Sequence, residues 1–106
     1  VIGIYEIDFE QQTFINVSPI LCQGLGYTED ELIGQPVSKV LSPASLKHFI
    51  DRLSQMDQGD LVESTANYTV VDKHGHELAI KIESFYKVAN GKIIGAIVAA
   101  KEIPND

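Results

Sequence analysis

A chain of 106 residues, 44 % hydrophobic and 22 % charged, has the size and make-up of one globular domain whose core needs no staples. Its net charge of −7 repels nucleic-acid phosphates and anionic membranes, no basic or aromatic run offsets this, and no apolar stretch reaches the roughly 20 residues that span a bilayer. Cys22 is the single cysteine, which excludes an internal disulfide and fits a reducing, cytoplasmic home.

The acids are concentrated early. Before Asn67 the only bases are Lys39, Lys47 and Arg52, whereas beyond it lysines and acids balance. Such an excess reads as a solvated acidic face. The chain starts at Val1 with strand-like sequence and no signal-peptide pattern, so residues 1–106 are expected to be one domain of a longer protein.

In chain order, Val1 to Phe9 alternates, with Val1, Tyr5, Ile7 and Phe9 on one face and Glu6 and Asp8 on the other. A polar turn leads into a second strand, Thr13 to Val17, which predicts a hairpin. Ser18-Pro19 then reads as N-cap and first residue of a short helix ending near Gly24 or Gly26. Thr28 and Glu31 have the spacing of a capping box, the acids of the first turn suit the positive end of the helix dipole, and Gly34 stops the helix after Leu32 and Ile33. Ser42-Pro43 caps a third helix, in which Leu46, Phe49, Ile50, Leu53 and Met56 form an apolar stripe. Gln58-Gly59-Asp60 ends it. Three strands follow: Leu61 to Asp72, His76 to Val88, and Lys92 to Ile103, turning at Lys73-His74-Gly75 and Asn90-Gly91.

Two strands, a cluster of short helices and three strands predict an α+β fold, a five-stranded antiparallel sheet with helices packed on one face. The last strand is apolar on both faces through Ala100, which suits a central position with its second face also covered.

"GIYEID", "FINVSP", "GYTEDELIGQPV", "KHGHE" and "GKIIGAIVAAKEI", in this order and spacing, resemble the PAS domain family over nearly the whole chain. The resemblance implies a sensory or interaction module of a signalling protein, with a small ligand or cofactor between sheet and helices. It also implies a linked output such as a histidine kinase or diguanylate cyclase. The family's last strand commonly ends Asp-Ile-Thr and ties the core to an output helix. Here the end is Glu102-Ile103-Pro104, and Pro104 lacks both hydroxyl and N–H.

Which cofactor, if any, the sequence leaves unknown, but two chemistries are disfavoured residue by residue. A flavin adduct of the light-oxygen-voltage type needs a cysteine after the Leu-Ile segment, where Gly34-Gln35-Pro36-Val37 has none. Haem-binding relatives place a histidine on the long helix, but His48 falls roughly 140° from the apolar stripe and is expected to face water. Cys22 reads as a small buried hydrophobe. His74 and His76 could share a strand face and hold zinc, yet no nearby residue completes a tetrahedral site, so a solvated hairpin is expected.

Strand alternation gives Phe49, Leu53, Tyr68, Ile80, Ile82 and Ile97 as pocket walls, suited to a small apolar or weakly polar ligand. A filled core serving only dimerisation and relay is the other reading. No nucleophile is joined to a base and an orienting group, so the domain itself is not expected to be an enzyme. Homodimerisation through the outer sheet face is expected, with Ile94, Ala96 and Val98, or their alternates, forming an apolar patch.

Overall fold

The computed structural model describes residues 2–104. Val1, assigned above to the first strand, lies outside them. β1 (Ile2–Asp8) and β2 (Thr13–Val17) form the expected antiparallel hairpin, with Tyr5 opposite Val17 and a bulge between Glu6 and Ile7. Ile7 is buried on the inner face and Ile4 is exposed on the outer one.

Three side-chain caps set the helix starts. For α1 (Pro19–Leu25), the Ser18 hydroxyl accepts from the N–H of Leu21 at 3.3 Å and from that of Ile4 at 3.0 Å, so one oxygen both starts the helix and ties it to β1. The helix then lies so close to β1 that a Cβ on Gly3 would fall 2.6 Å from the Cβ of Leu21, an approach only glycine permits. α2 (Glu29–Leu32) has the full capping box. Thr28 Oγ1 accepts from the Glu31 N–H at 3.3 Å, and Glu31 Oε1 accepts from the Thr28 N–H at 3.0 Å. α3 (Pro43–Asp57) starts where the Ser42 hydroxyl accepts from the Ser45 N–H at 3.2 Å.

The buried face of α3 differs from the expected stripe. Ser45, Phe49 and Arg52 are buried and Leu46, Leu53 and Met56 half-buried, while Ile50 is exposed. The face is rotated by roughly 60° from the one centred on Leu46, Phe49, Ile50 and Leu53. A charged residue, Arg52, sits where a hydrophobe was expected.

β3 (Thr65–Val71), β4 (Glu77–Ala89) and β5 (Lys92–Glu102) complete one sheet in the order β2-β1-β5-β4-β3. β3 begins at Thr65 rather than Leu61. Leu61 is fully exposed, and the Glu63 carbonyl accepts from side chains, Arg52 and Tyr86, instead of from a neighbouring strand. Asn90 and Gly91 turn the chain with φ of 53° and 77°, the left-handed pair that a tight hairpin needs.

β5 takes the central place that its two apolar faces called for, but its parity corrects two expectations. Ala96, Val98 and Ala100 point inward and are buried. Of the residues expected on the outer patch, Ile94 is exposed, whereas Ala96 and Val98 lie under the helices; the outward alternate is Ile97.

The chain between α2 and α3 straps the two sheet edges together. Beside the outer edge of β2, Phe14 N–H donates to the Gln35 carbonyl at 3.0 Å, Gly34 N–H to the Phe14 carbonyl at 2.8 Å, and Val37 N–H to the Gln12 carbonyl at 2.9 Å. A single 3₁₀ turn (Val37–Lys39) follows. Beside the outer edge of β3, Val71 N–H donates to the Val40 carbonyl at 2.7 Å and Ser42 N–H to the Thr69 carbonyl at 3.0 Å. In a flat five-stranded sheet these flanking positions would lie six strand spacings apart, about 29 Å. Three residues of chain reach about 11 Å at most. The sheet is therefore curled into an open barrel over the helices, and the strap closes it.

Glu31 joins this closure to α2. Its carboxylate accepts from Thr28 and pairs with Lys73 Nζ at 2.9 Å. The backbone N–H of Thr28, then Lys73, lower its pKa from 4.5 to about 2. A depressed carboxylate contributes stability that is present above its usual value and lost as pH falls through the folded one. Glu31→Gln should therefore lower the urea midpoint at pH 6, and the difference from the parent should vanish between pH 4.5 and pH 2. A difference constant over that range would mean the charge of Glu31 is not involved.

Candidate functional site

The curled sheet and the helices enclose a cavity of about 70 Å³. Its floor is the inner sheet face, with Tyr68 and Val70 from β3, Ile80 and Ile82 from β4 and Val98 from β5. Its roof comes from Leu21 and Leu25 of α1, Val37 and Val40 of the strap, and Phe49 and Leu53 of α3. At one end Phe9 stacks edge-on against Phe49 and Tyr86, with ring centroids 6.3 and 6.4 Å apart.

Five of the six residues named from sequence, Phe49, Leu53, Tyr68, Ile80 and Ile82, line this cavity together. Ile97 does not. It pairs with Glu6 and Phe85 and is 44 % exposed on the outer face, while its neighbours Ala96 and Val98 face inward. Its strand is apolar on both sides, so pattern alone could not choose between two registers that differ by one residue.

The polar part of the site was missed. Arg52, 8 % exposed, lines the cavity and holds three hydrogen bonds. Its Nη1 donates to the Tyr68 hydroxyl at 2.6 Å, and its Nη2 to the Glu63 carbonyl at 2.7 Å and the Tyr86 hydroxyl at 3.1 Å. Tyr86 in turn donates to the same Glu63 carbonyl at 3.1 Å. Tyr5 and the buried Ser84 bring two more hydroxyls to the cavity wall. Burial and the neighbouring Tyr68 push the Tyr5 pKa well above the ordinary tyrosine value, with Arg52 opposing, and burial also raises Tyr68 against Arg52. Both Tyr5 and Tyr68 stay protonated at neutral pH.

Of the other residues weighed from sequence, His48, Cys22, His74 and His76 fall outside the cavity. His48 is exposed and edge-on to Tyr68, ring centroids 5.3 Å apart, and is not part of the lining. Cys22 is buried elsewhere, its thiol pKa raised by burial and by Glu29. Val37 does line the cavity, as a methyl-bearing wall. His74 and His76 sit on the exposed turn, where His76 Nδ1 lies 3.2 Å from Asp72 Oδ2; among the described residues no cluster of three metal-ligating side chains occurs.

α3 is held over the cavity by Ser45, whose buried hydroxyl accepts from the Thr69 N–H of edge strand β3 at 2.7 Å. Ser45→Ala removes that acceptor and leaves a part-buried donor without its partner, which costs about 1–3 kcal/mol. A fall in the urea midpoint of that size is expected.

No family model matches the chain, and no curated protein matches it. Solved structures do. The chain is similar to the PAS domain of a protein from Colwellia psychrerythraea, at 20 % identity and TM-score 0.76 over 96 % of this chain and 86 % of that one. It is similar to the N-terminal domain of a diguanylate cyclase with PAS/PAC sensor from Marinobacter aquaeolei, at 16 % identity and TM-score 0.75 over 96 % and 94 %. A PAS domain from a two-component sensor histidine kinase matches at 10 % identity and TM-score 0.73 over 96 % and 85 %. The sheet order, the helices on its inner face and these likenesses agree on one architecture: the chain has the PAS fold.

Proposed function

We propose that this domain is a sensory module of a cytoplasmic signalling protein, which senses a small ligand in the cavity between sheet and helices. The observation that carries the reading is the cavity itself, apolar on most of its wall with a few convergent polar groups at one place. The similarity to domains of a histidine kinase and a diguanylate cyclase supports a linked output of that kind. The volume limits the ligand. At about 70 Å³ the cavity is well below the roughly 300 Å³ at which cofactor sites begin, and takes about half a dozen heavy atoms. A flavin adduct lacks its thiol at Val37, and the exposed His48 does not offer haem a ligand from inside. The domain is a sensor and not an enzyme in this reading.

The filled-core reading, dimerisation and relay without a ligand, shares one feature with it. On the outer sheet face Phe85 and Ile97 are cross-strand partners, 57 % and 44 % exposed, and Ile4 on β1 is 51 % exposed. A patch of this kind is suited to a two-fold pairing with a second copy of the chain.

Two measurements test these readings. Thermal melts against a panel of molecules of about three to eight heavy atoms should give at least one saturable rise in Tm, and the purified domain should show no flavin or Soret absorption. A flat panel together with ligand-free native mass spectra overturns ligand sensing in favour of the filled core. Sedimentation equilibrium should give a dimer that Phe85→Glu and Ile97→Glu, each still folded, convert to monomer; a monomer at all concentrations overturns pairing through the sheet face.

A further inference from the structure

The cavity wall holds a buried cation, Arg52, that pairs with no carboxylate among the described residues. Arg52 is 8 % exposed, and its three acceptors, two tyrosine hydroxyls and a backbone carbonyl, are all neutral. Among the described residues no ion pair involves it. Removing a guanidinium from water is costly unless a negative charge takes up its field, and neutral acceptors do so only in part. A guanidinium has five N–H donors, so the three bonds leave two.

The surrounding groups are donors as well. The Tyr68 hydroxyl accepts from Arg52, which leaves its own proton for an acceptor. Tyr5 lines the same cavity, with burial holding its hydroxyl protonated. Ser84 adds a third hydroxyl. The group that satisfies a guanidinium and several O–H donors at once is a carboxylate, with its two oxygens and only acceptor sites. The other wall of the cavity is aliphatic: Ile80, Ile82, Val98 and Leu53. Glu102, the one acidic residue in the lining, is in register with Ile80, six residues along β4 from Tyr86 and so about 20 Å of strand away. It is already engaged and would repel a second carboxylate at that end.

Resting on the ligand-sensing reading above, we propose that the ligand is a short-chain monocarboxylate, with its carboxylate on Arg52 and the tyrosine hydroxyls and its alkyl tail against the aliphatic wall. The cavity volume sets the length at about two to five carbons.

Butyrate and its neutral isostere butyramide are the probes, titrated by calorimetry into the purified domain. Butyrate should bind at least about tenfold more tightly than butyramide, since hydrogen bonds to a charged group gain that much over neutral ones. Octanoate should bind more weakly than butyrate. Arg52→Gln should bring the butyrate-to-butyramide ratio to about one. Should that variant not fold, Tyr5→Phe, which removes a hydroxyl that bonds no described residue, should weaken butyrate several-fold and leave butyramide unchanged. Equal binding of butyrate and butyramide by the parent domain overturns the carboxylate assignment while leaving a ligand cavity in place. Failure of both probes also overturns it, and the molecule panel above then decides whether ligand sensing itself survives.

Discussion

Closure of the sheet by the strap is the constraint on which the rest depends. Residues on one side of a single 3₁₀ turn bond the outer edge of β2 and those on the other side bond the outer edge of β3. A chain that short cannot bridge a flat five-stranded sheet. It therefore imposes the curl, and the curl makes an inside. The inward residues of all five strands then face one another and the helices, rather than lying on an open plane. The caps of Thr28 and Ser42 fix where the strap enters and leaves, so a few hydroxyl hydrogen bonds decide the shape of a surface made by the whole sheet.

Curling also explains how an arginine comes to be buried. α3 packs against β3 over the cavity, and its Arg52 reaches Tyr68 on β3, Tyr86 on β4 and the Glu63 carbonyl just before β3. Those three points lie on two strands and on the segment leading into β3. One planar guanidinium holds them together with geometry that a lysine could not reproduce. The same bonds stop β3 from extending back to Leu61, because the carbonyl that a longer strand would use is already occupied.

What could be read from the sequence was local. The caps at Ser18, Thr28 and Ser42, the turns at Gly26 and Asn90-Gly91, and the strand and helix order depend on residues within four or five positions of each other, and all were visible. Five residues of the cavity wall, Phe49, Leu53, Tyr68, Ile80 and Ile82, followed from periodicity. Four things did not. The face of Ile97 depends on register, which an all-apolar strand leaves open. The start of β3 depends on a distant side chain. The polarity of the cavity depends on Arg52, which looks on the helix like an ordinary solvated charge until tertiary structure covers it. The strap has no pattern of its own: its hydrogen bonds are made by backbone, and backbone carries no sequence signature.

The strand order has a consequence for how the domain comes into being. β5 lies between β1 and β4, yet it is the last strand to be synthesised. Until it arrives, the chain holds only two separate two-stranded pieces, β1 with β2 and β3 with β4, and such pieces are marginal in water. The strap cannot bring the outer edges together before that, because no sheet yet joins them. On a ribosome the five-stranded sheet therefore cannot be completed until Lys92–Glu102 has left the exit tunnel.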